Sequence, residues 1–242
     1  MLRWLHWALV LVFLSGALPS RGAAQPFDFT QAEWEVLKEE QGIQTFRWRP
    51  AGHDLFAFKG IGVIGAPITK IATLFEDWRR LTEWVPDLVD ARLVRRVSAI
   101  ERVQYMHFAT PFVVADRDFV IDSRAHFDSE THALRIEFHS VLDRAAPETE
   151  NVRGRIVAGE YLLEPLEEYT KTRLTMRVYL DPRGSVPRWI VNRTQRSFPR
   201  KTISALRERC AREDVQDHPL VRAVLDGKIK SEAEAMDFPL GF

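Results

Sequence analysis

Three features of this 242-residue chain carry the residue types of known chemistry. Gly60-Ile61-Gly62-Val63-Ile64-Gly65 matches the glycine fingerprint of dinucleotide binding and precedes a predicted helix. That chemistry needs a strand, a tight turn and a helix leading into a parallel strand, with the pyrophosphate at the helix N-terminus. Here the glycines follow an antiparallel hairpin pattern and precede more antiparallel strands, so they read as glycines at a strand-to-helix bend. His107 and Ser123 are a base and a nucleophile on predicted strands, but two such groups on one sheet read as hydrogen-bonders inside a cavity. The seven histidines are scattered, and none has metal-ligand spacing such as H-E-x-x-H. Neither a G-x-S-x-G elbow nor a phosphate-binding loop is present. Cys210 is the single cysteine and reads as a small buried apolar residue beside Leu206. The expectation is a binding protein with no catalytic residue, metal or cofactor.

Charge narrows the partners. Lys+Arg and Asp+Glu both number 34, giving a formal net charge of zero. A nucleic-acid binder needs a basic excess or face, so that class is set aside. The basic runs Arg95-Arg96 and Arg207 to Arg209 read as solvated faces. Residues 1–24 read as an export signal: Arg3, the apolar run Ala8 to Leu14, then Gly22 and Ala24 ahead of a cut before Gln25. The expected setting is periplasmic or secreted.

The remaining pattern supplies the scaffold. Thr30-Gln31-Ala32-Glu33 has the letters of a capping box and predicts a short first helix carrying Trp34 and Leu37. Strands follow at Gln44 to Arg49 and Leu55 to Lys59. Ile68, Ile71, Leu74, Phe75 and Trp78 share one helical face after Pro67. From Val89 to Leu180 alternation predicts strand after strand: Val103-Tyr105-His107, Phe119-Ile121-Ser123, Leu134-Ile136-Phe138, Val157-Gly159-Tyr161 and Leu174-Met176-Val178. The turn-rich stretch Ala145 to Glu150 separates two of them. A long helix runs from Pro187 to about Arg212, with Ile190, Thr194, Phe198 and Ile203 on one stripe and a kink at Pro199. Residues 213–242 form a tail with one short helix.

Four segments resemble the START (steroidogenic acute regulatory protein-related lipid transfer) family. Thr82-Glu83-Trp84-Val85-Pro86 is similar to its "EW-x-P". Thr110-Pro111-Phe112 with Asp116-Arg117-Asp118-Phe119-Val120 resembles its "PF…RDFV". Tyr161 to Leu166 looks like the strand before its last hairpin, and Asp181 to Asn192 resembles the entry to its final helix. The resemblance implies an α+β helix-grip fold over residues 25–212: a curved antiparallel sheet wrapped around the long C-terminal helix, with a hydrophobic cavity between. It implies a lipid or sterol-like ligand, transient membrane contact and a monomer.

Period-2 alternation then nominates the wall. Tyr105, His107, Arg117, Phe119, Ile121 and Ser123 come from two strands. Ile136, Phe138, Tyr161, Met176 and Val178 come from three more, and Ile190, Thr194, Phe198 and Ile203 from the helix. By resemblance Arg117 lies near a lipid phosphate; its alternative role is a strand-end pair with Asp116 or Glu83. Sterol-binding members place a buried Glu and Arg where His107 and Ser123 are read here. The long helix is the candidate lid. Two other functions stay open, a cyclase- or aromatase-type enzyme using the same cavity and a ligand sensor acting through the tail.

Overall fold

A computed structural model of the chain describes residues 27–110 and 114–240, so the export segment and Pro111-Phe112 lie outside the described residues. The first surprise is local. Residues Glu35–Glu40 form strand β1, not a helix. Thr30 does not cap anything: its N–H and hydroxyl both donate to Asp28 at 2.7 Å. Distant aromatic rings decide the conformation instead. Phe27 stacks on Tyr179 at 4.8 Å and meets Trp48 at 5.6 Å, while Trp34 meets Trp48 at 6.0 Å.

The chain continues through β2 (Ile43–Trp48), β3 (Ala57–Ile64) and helix α1 (Ile68–Glu76). A 3-10 turn, Trp78–Glu83, carries it to the far edge of the sheet. There follow β4 (Leu88–Arg96), β5 (Glu101–Phe108), β6 (Arg117–Phe127) and β7 (Leu134–Ser140). The two-residue β8 (Val152–Arg153) leads into β9 (Arg155–Leu166) and β10 (Lys171–Asp181). Sheet order is β1-β2-β3-β10-β9-β7-β6-β5-β4, with β8 parallel to β6 and every other pairing antiparallel. The helix-grip layout follows, with helices on the sheet's concave face.

The expected single long helix is two helices. Helix α2 (Arg188–Gln195) ends at Arg196, and α3 (Phe198–Cys210) starts two residues later. Pro199 has no N–H to return to the Gln195 carbonyl, so a continuous ladder is impossible at that point and the helix restarts instead of kinking. Helix α3 is seated deeply because β3 has no side chain beneath it. A Cβ at Gly60 would sit 2.7 Å from Pro199 Cβ, and one at Gly62 would sit 2.9 Å from Ile203 Cγ2. The glycine fingerprint is therefore a packing notch inside a strand, and only Gly65 lies near the bend.

The basic runs are solvated only in part: Arg95 is 53% exposed, whereas Arg96, Arg207 and Arg209 are tied to the fold. Arg207 donates to the carbonyls of Val63, Gln41 and Gly42, tying the end of α3 to the β2–β3 hairpin. Arg209 is 3% exposed and pairs with Asp214 at 2.9 Å and Glu83 at 3.1 Å. Arg96 pairs with buried Glu76 at 2.6 Å.

The tail has two helices, α4 (Pro219–Leu225) and α5 (Glu232–Met236), where one was expected. They close the core by burying Leu220 and Ala235 against Ile100. His218 caps α4 and is 5% exposed, facing Glu76, Arg102 and Arg96. Burial pushes its imidazole down to about 4, with Arg102 and Arg96 acting in the same direction against Glu76. The unfolded chain therefore binds a proton that the folded chain refuses between about pH 6.5 and 4. Stability that is full above pH 6.5 falls as pH drops through this window, by up to about 3 kcal/mol for this one group. Urea unfolding at pH 7 and 4.5 should show that loss shrink in His218→Asn, which retains a cap but cannot titrate. An unchanged pH slope would assign the acid sensitivity elsewhere.

Candidate ligand cavity

Directly paired residues of neighbouring strands share a face, so the register writes the concave surface in rows. Phe127, Leu134, Leu163, Leu174, Gly62 and Ile43 form one row. It is solid core beneath α1 and α3. The next holds Ala125, Ile136, Tyr161, Met176 and Gly60, and the next Ser123, Phe138, Gly159 and Val178. Between these later rows and helices α2 and α3 lies a cavity of about 390 Å³. That is within the range of small-molecule sites, roughly 300–1,000 Å³. Strand β5 adds Arg102, Gln104, Met106 and Phe108 to the wall, paired rung by rung with Ser123, Ile121, Phe119 and Arg117.

Aromatic rings form much of the surface. Trp84 meets Phe75 edge-on at 5.7 Å, Phe75 meets Tyr161 at 4.6 Å, and Tyr161 stacks on Phe138 at 5.0 Å. Burial pushes the Tyr161 phenol well above its ordinary pKa, so it stays a neutral hydroxyl. The exposed lining residues Asp87, Ala109, Thr194 and Lys201 mark the mouth, where Lys201 pairs with Asp87 at 3.3 Å. Asp87 is the one carboxylate among the described lining residues.

The nominated residues divide cleanly. Arg117, Phe119, Ile121 and Ser123 of β6 line the cavity, as do Ile136 and Phe138 of β7, Tyr161 of β9 and Val178 of β10. Ile190, Thr194 and Phe198 line it from the helices. Met176 and Ile203 do not: both are fully buried in packing beneath and around α3. Tyr105 and His107 are on the opposite face of the sheet. Tyr105 packs with Val103, Val120 and Ala146, and His107 meets Asp116 at 2.9 Å. The polar neighbours of Ser123 inside the cavity are accordingly Arg102 and Gln104, not His107.

Arg117 takes neither of the pairings considered for it. Asp116 accepts from His107 and from the Thr110 N–H, and Glu83 from Arg80 and Arg209. The Arg117 guanidinium donates to the carbonyls of Ala115, Pro182 and Arg183, pinning the turn before α2 to the start of β6. Burial lowers its pKa, and Asp116 opposes that shift.

The polar residues that the pattern missed are the informative ones. Trp84 Nε1, Arg102 Nε, Gln104 Nε2 and Thr202 Oγ1 are buried without a hydrogen-bond partner, and all four residues line the cavity. Each such orphan costs about 1–3 kcal/mol. Arg102 is otherwise held by Glu76 and the Phe75 carbonyl. The alternation of Arg102 and Gln104 with Val103 and Tyr105 hid them, because it makes the outward face of β5 look like the buried one.

The START domain profile matches residues 25–213. An uncharacterized protein of Pseudomonas aeruginosa is 25% identical over 177 residues, covering 72% of this chain and 85% of that one. Mouse phosphatidylcholine transfer protein is 25% identical over 167 residues, covering 67% and 77%. Among solved structures, a STAR-related lipid transfer protein fragment from Xanthomonas axonopodis superposes with a TM-score of 0.67 at 23% identity. It covers 74% of this chain and 99% of its own. Human StAR-related lipid transfer protein 5 gives 0.67 at 17% identity, covering 74% and 86%. These two structural likenesses carry the fold alone.

Proposed function

Because the chain belongs to the START domain family, we propose that it binds one lipid or sterol-like molecule in this cavity and carries it between membranes. One observation carries the reading: a 390 Å³ cavity lined mostly by apolar and aromatic side chains also carries the polar residues Arg102, Gln104, Ser123 and Thr202 in its wall. An amphiphile with an oxygen-bearing head satisfies both halves of that description. Its apolar body covers the Phe75, Tyr161 and Phe138 rings, and its head lies beside the polar residues of that wall. The lipid transfer that names mouse phosphatidylcholine transfer protein supports the same reading. Export belongs to the proposal as well. A chain cut before Gln25 keeps Phe27, whose ring fills the space between Trp48 and Tyr179. N-terminal sequencing of the native protein checks that cut, and an intact Met1 would refute it.

The test of binding uses the full chain stripped of lipid and incubated with vesicles of phospholipid, sterol and free fatty acid. Native mass spectrometry should then show a one-to-one complex. Ser123→Phe puts a ring into the cavity wall and should abolish the complex while leaving cooperative unfolding in place. Lipid retained at equal stoichiometry by Ser123→Phe would place binding outside the cavity and overturn the reading. So would a wild-type protein that takes up none of the three lipids.

A further inference from the structure

Two rings of the cavity wall lie where side chains of the neighbouring strand belong. Gly159 is paired directly with Phe138 and shares its inner face. A Cβ built on Gly159 would clash with the Phe138 ring, with Cε2, Cζ and Cδ2 as its nearest atoms. A Cβ on Gly154 would meet the Phe119 ring in the same way, at Cε1 and Cζ. Both rings therefore sit in notches over bare backbone. Both also line the cavity.

The notches matter because the backbone closes one side of each ring. Phe138 is backed by the sheet and stacked on Tyr161 at 5.0 Å. Phe119 is backed by β8 and meets Phe108 at 5.7 Å. Ordinary carbon–carbon contact needs about 3.5–4.0 Å. A methyl group in either notch thus pushes its ring inward by more than about 1 Å, into the 390 Å³ space. We infer that Gly154 and Gly159 set the bore of the cavity, recessing Phe119 and Phe138 so that it takes a ligand broader than a single alkyl chain, of the fused-ring or branched kind.

The inference rests on the lipid-binding reading and adds a size class to it. Neither glycine has a positive φ, so alanine introduces no backbone strain and its effect passes through the ring. The test compares cholesterol, a broad probe, with palmitate, a narrow one, on the full chain. Gly159→Ala should weaken cholesterol binding by about tenfold or more, the usual scale of overpacking, with palmitate changed less than about threefold. Adding Phe138→Leu to Gly159→Ala removes the displaced ring and should restore cholesterol binding. Phe138→Leu alone should shift preference toward cholesterol, which keeps the inference testable should Gly159→Ala not fold. Parallel weakening of both probes, or no restoration in the double variant, would show that the notch does not act through the ring. A wild-type protein that binds neither probe sinks the inference together with the reading beneath it. Wild-type binding with an unmoved size preference sinks the inference alone.

Discussion

Replacing Asp118 by alanine should cost about 3–5 kcal/mol of stability, the usual result of removing one partner of a buried ion pair. Asp118 is fully buried on the convex face of β6. It accepts from Arg153 Nε at 2.6 Å and from Thr149 Oγ1 at 2.6 Å. Burial opposes its charge, but the Arg153 and Thr149 donors outweigh that and hold its carboxyl below the ordinary range. Arg153 is itself fixed by the carbonyls of Ala146 and Pro147. One carboxylate therefore moors the whole 141–153 segment against Val103, Tyr105 and Val120. Alanine strands Arg153 and frees the segment. Urea unfolding should register the loss, and limited proteolysis should cut first within 145–150. Asp118→Asn retains the acceptor oxygen without the charge and should fall between. A change below about 0.5 kcal/mol, the size of an ordinary surface substitution, would show that the segment is held by its apolar contacts alone.

That mooring also explains where the sequence misled. On β6, β7, β9 and β10 the apolar residues of one parity face inward and alternation nominated that parity, though Met176 of β10 is packed beneath α3 and does not line the cavity. On β5 the 141–153 segment covers the outer face, so Val103 and Tyr105 are as buried as a core residue while Gln104 and Arg102 face the cavity. The period-2 signal is real there, but it reports the wrong face, and no local feature of β5 says so. Strand β1 failed for a related reason. Thr30 to Glu33 has capping letters, yet the aromatic cluster of Phe27, Trp34, Trp48 and Tyr179 joins residues more than 100 positions apart and overrides them. The fold class was legible because most helices and strands announce themselves locally and the family segments follow in order from residue 82 to 192. Orphaned donors and glycine notches are absences, visible only once the neighbours are in place.

Helix α2 alone, not the whole span from Pro187 to Arg212, should open to admit ligand. Of its eight residues only Val191 is buried, whereas α3 buries Pro199, Thr202, Ile203, Leu206, Arg209 and Cys210. The glycine notches lock α3 to β3, and Arg207 locks its far end to three carbonyls. Three slender ties hold α2: Gln195 to the Leu180 carbonyl at 3.2 Å, Asn192 to the Phe56 N–H at 3.3 Å, and the exposed Arg188–Asp54 pair at 2.7 Å. The Arg196-Ser197 break supplies a hinge that lacks the Pro199 hydrogen bond. Segments with few buried contacts open well below the free energy of global unfolding. Amides of 190–195 should therefore exchange at least about tenfold faster in empty protein than in loaded protein, while those of 200–206 respond little. A disulfide between cysteines placed at 56 and 192, where the Phe56 N–H meets the Asn192 side chain, should slow lipid uptake without lowering final occupancy. Reduction should reverse the delay. Cys210 will not interfere, since burial pushes its thiol up to about 11 and keeps it protonated. Equal ligand response across α2 and α3 would mean that the two helices move as one body. A response confined to 145–150 would put the gate at the segment Asp118 moors, leaving α2 as a fixed roof.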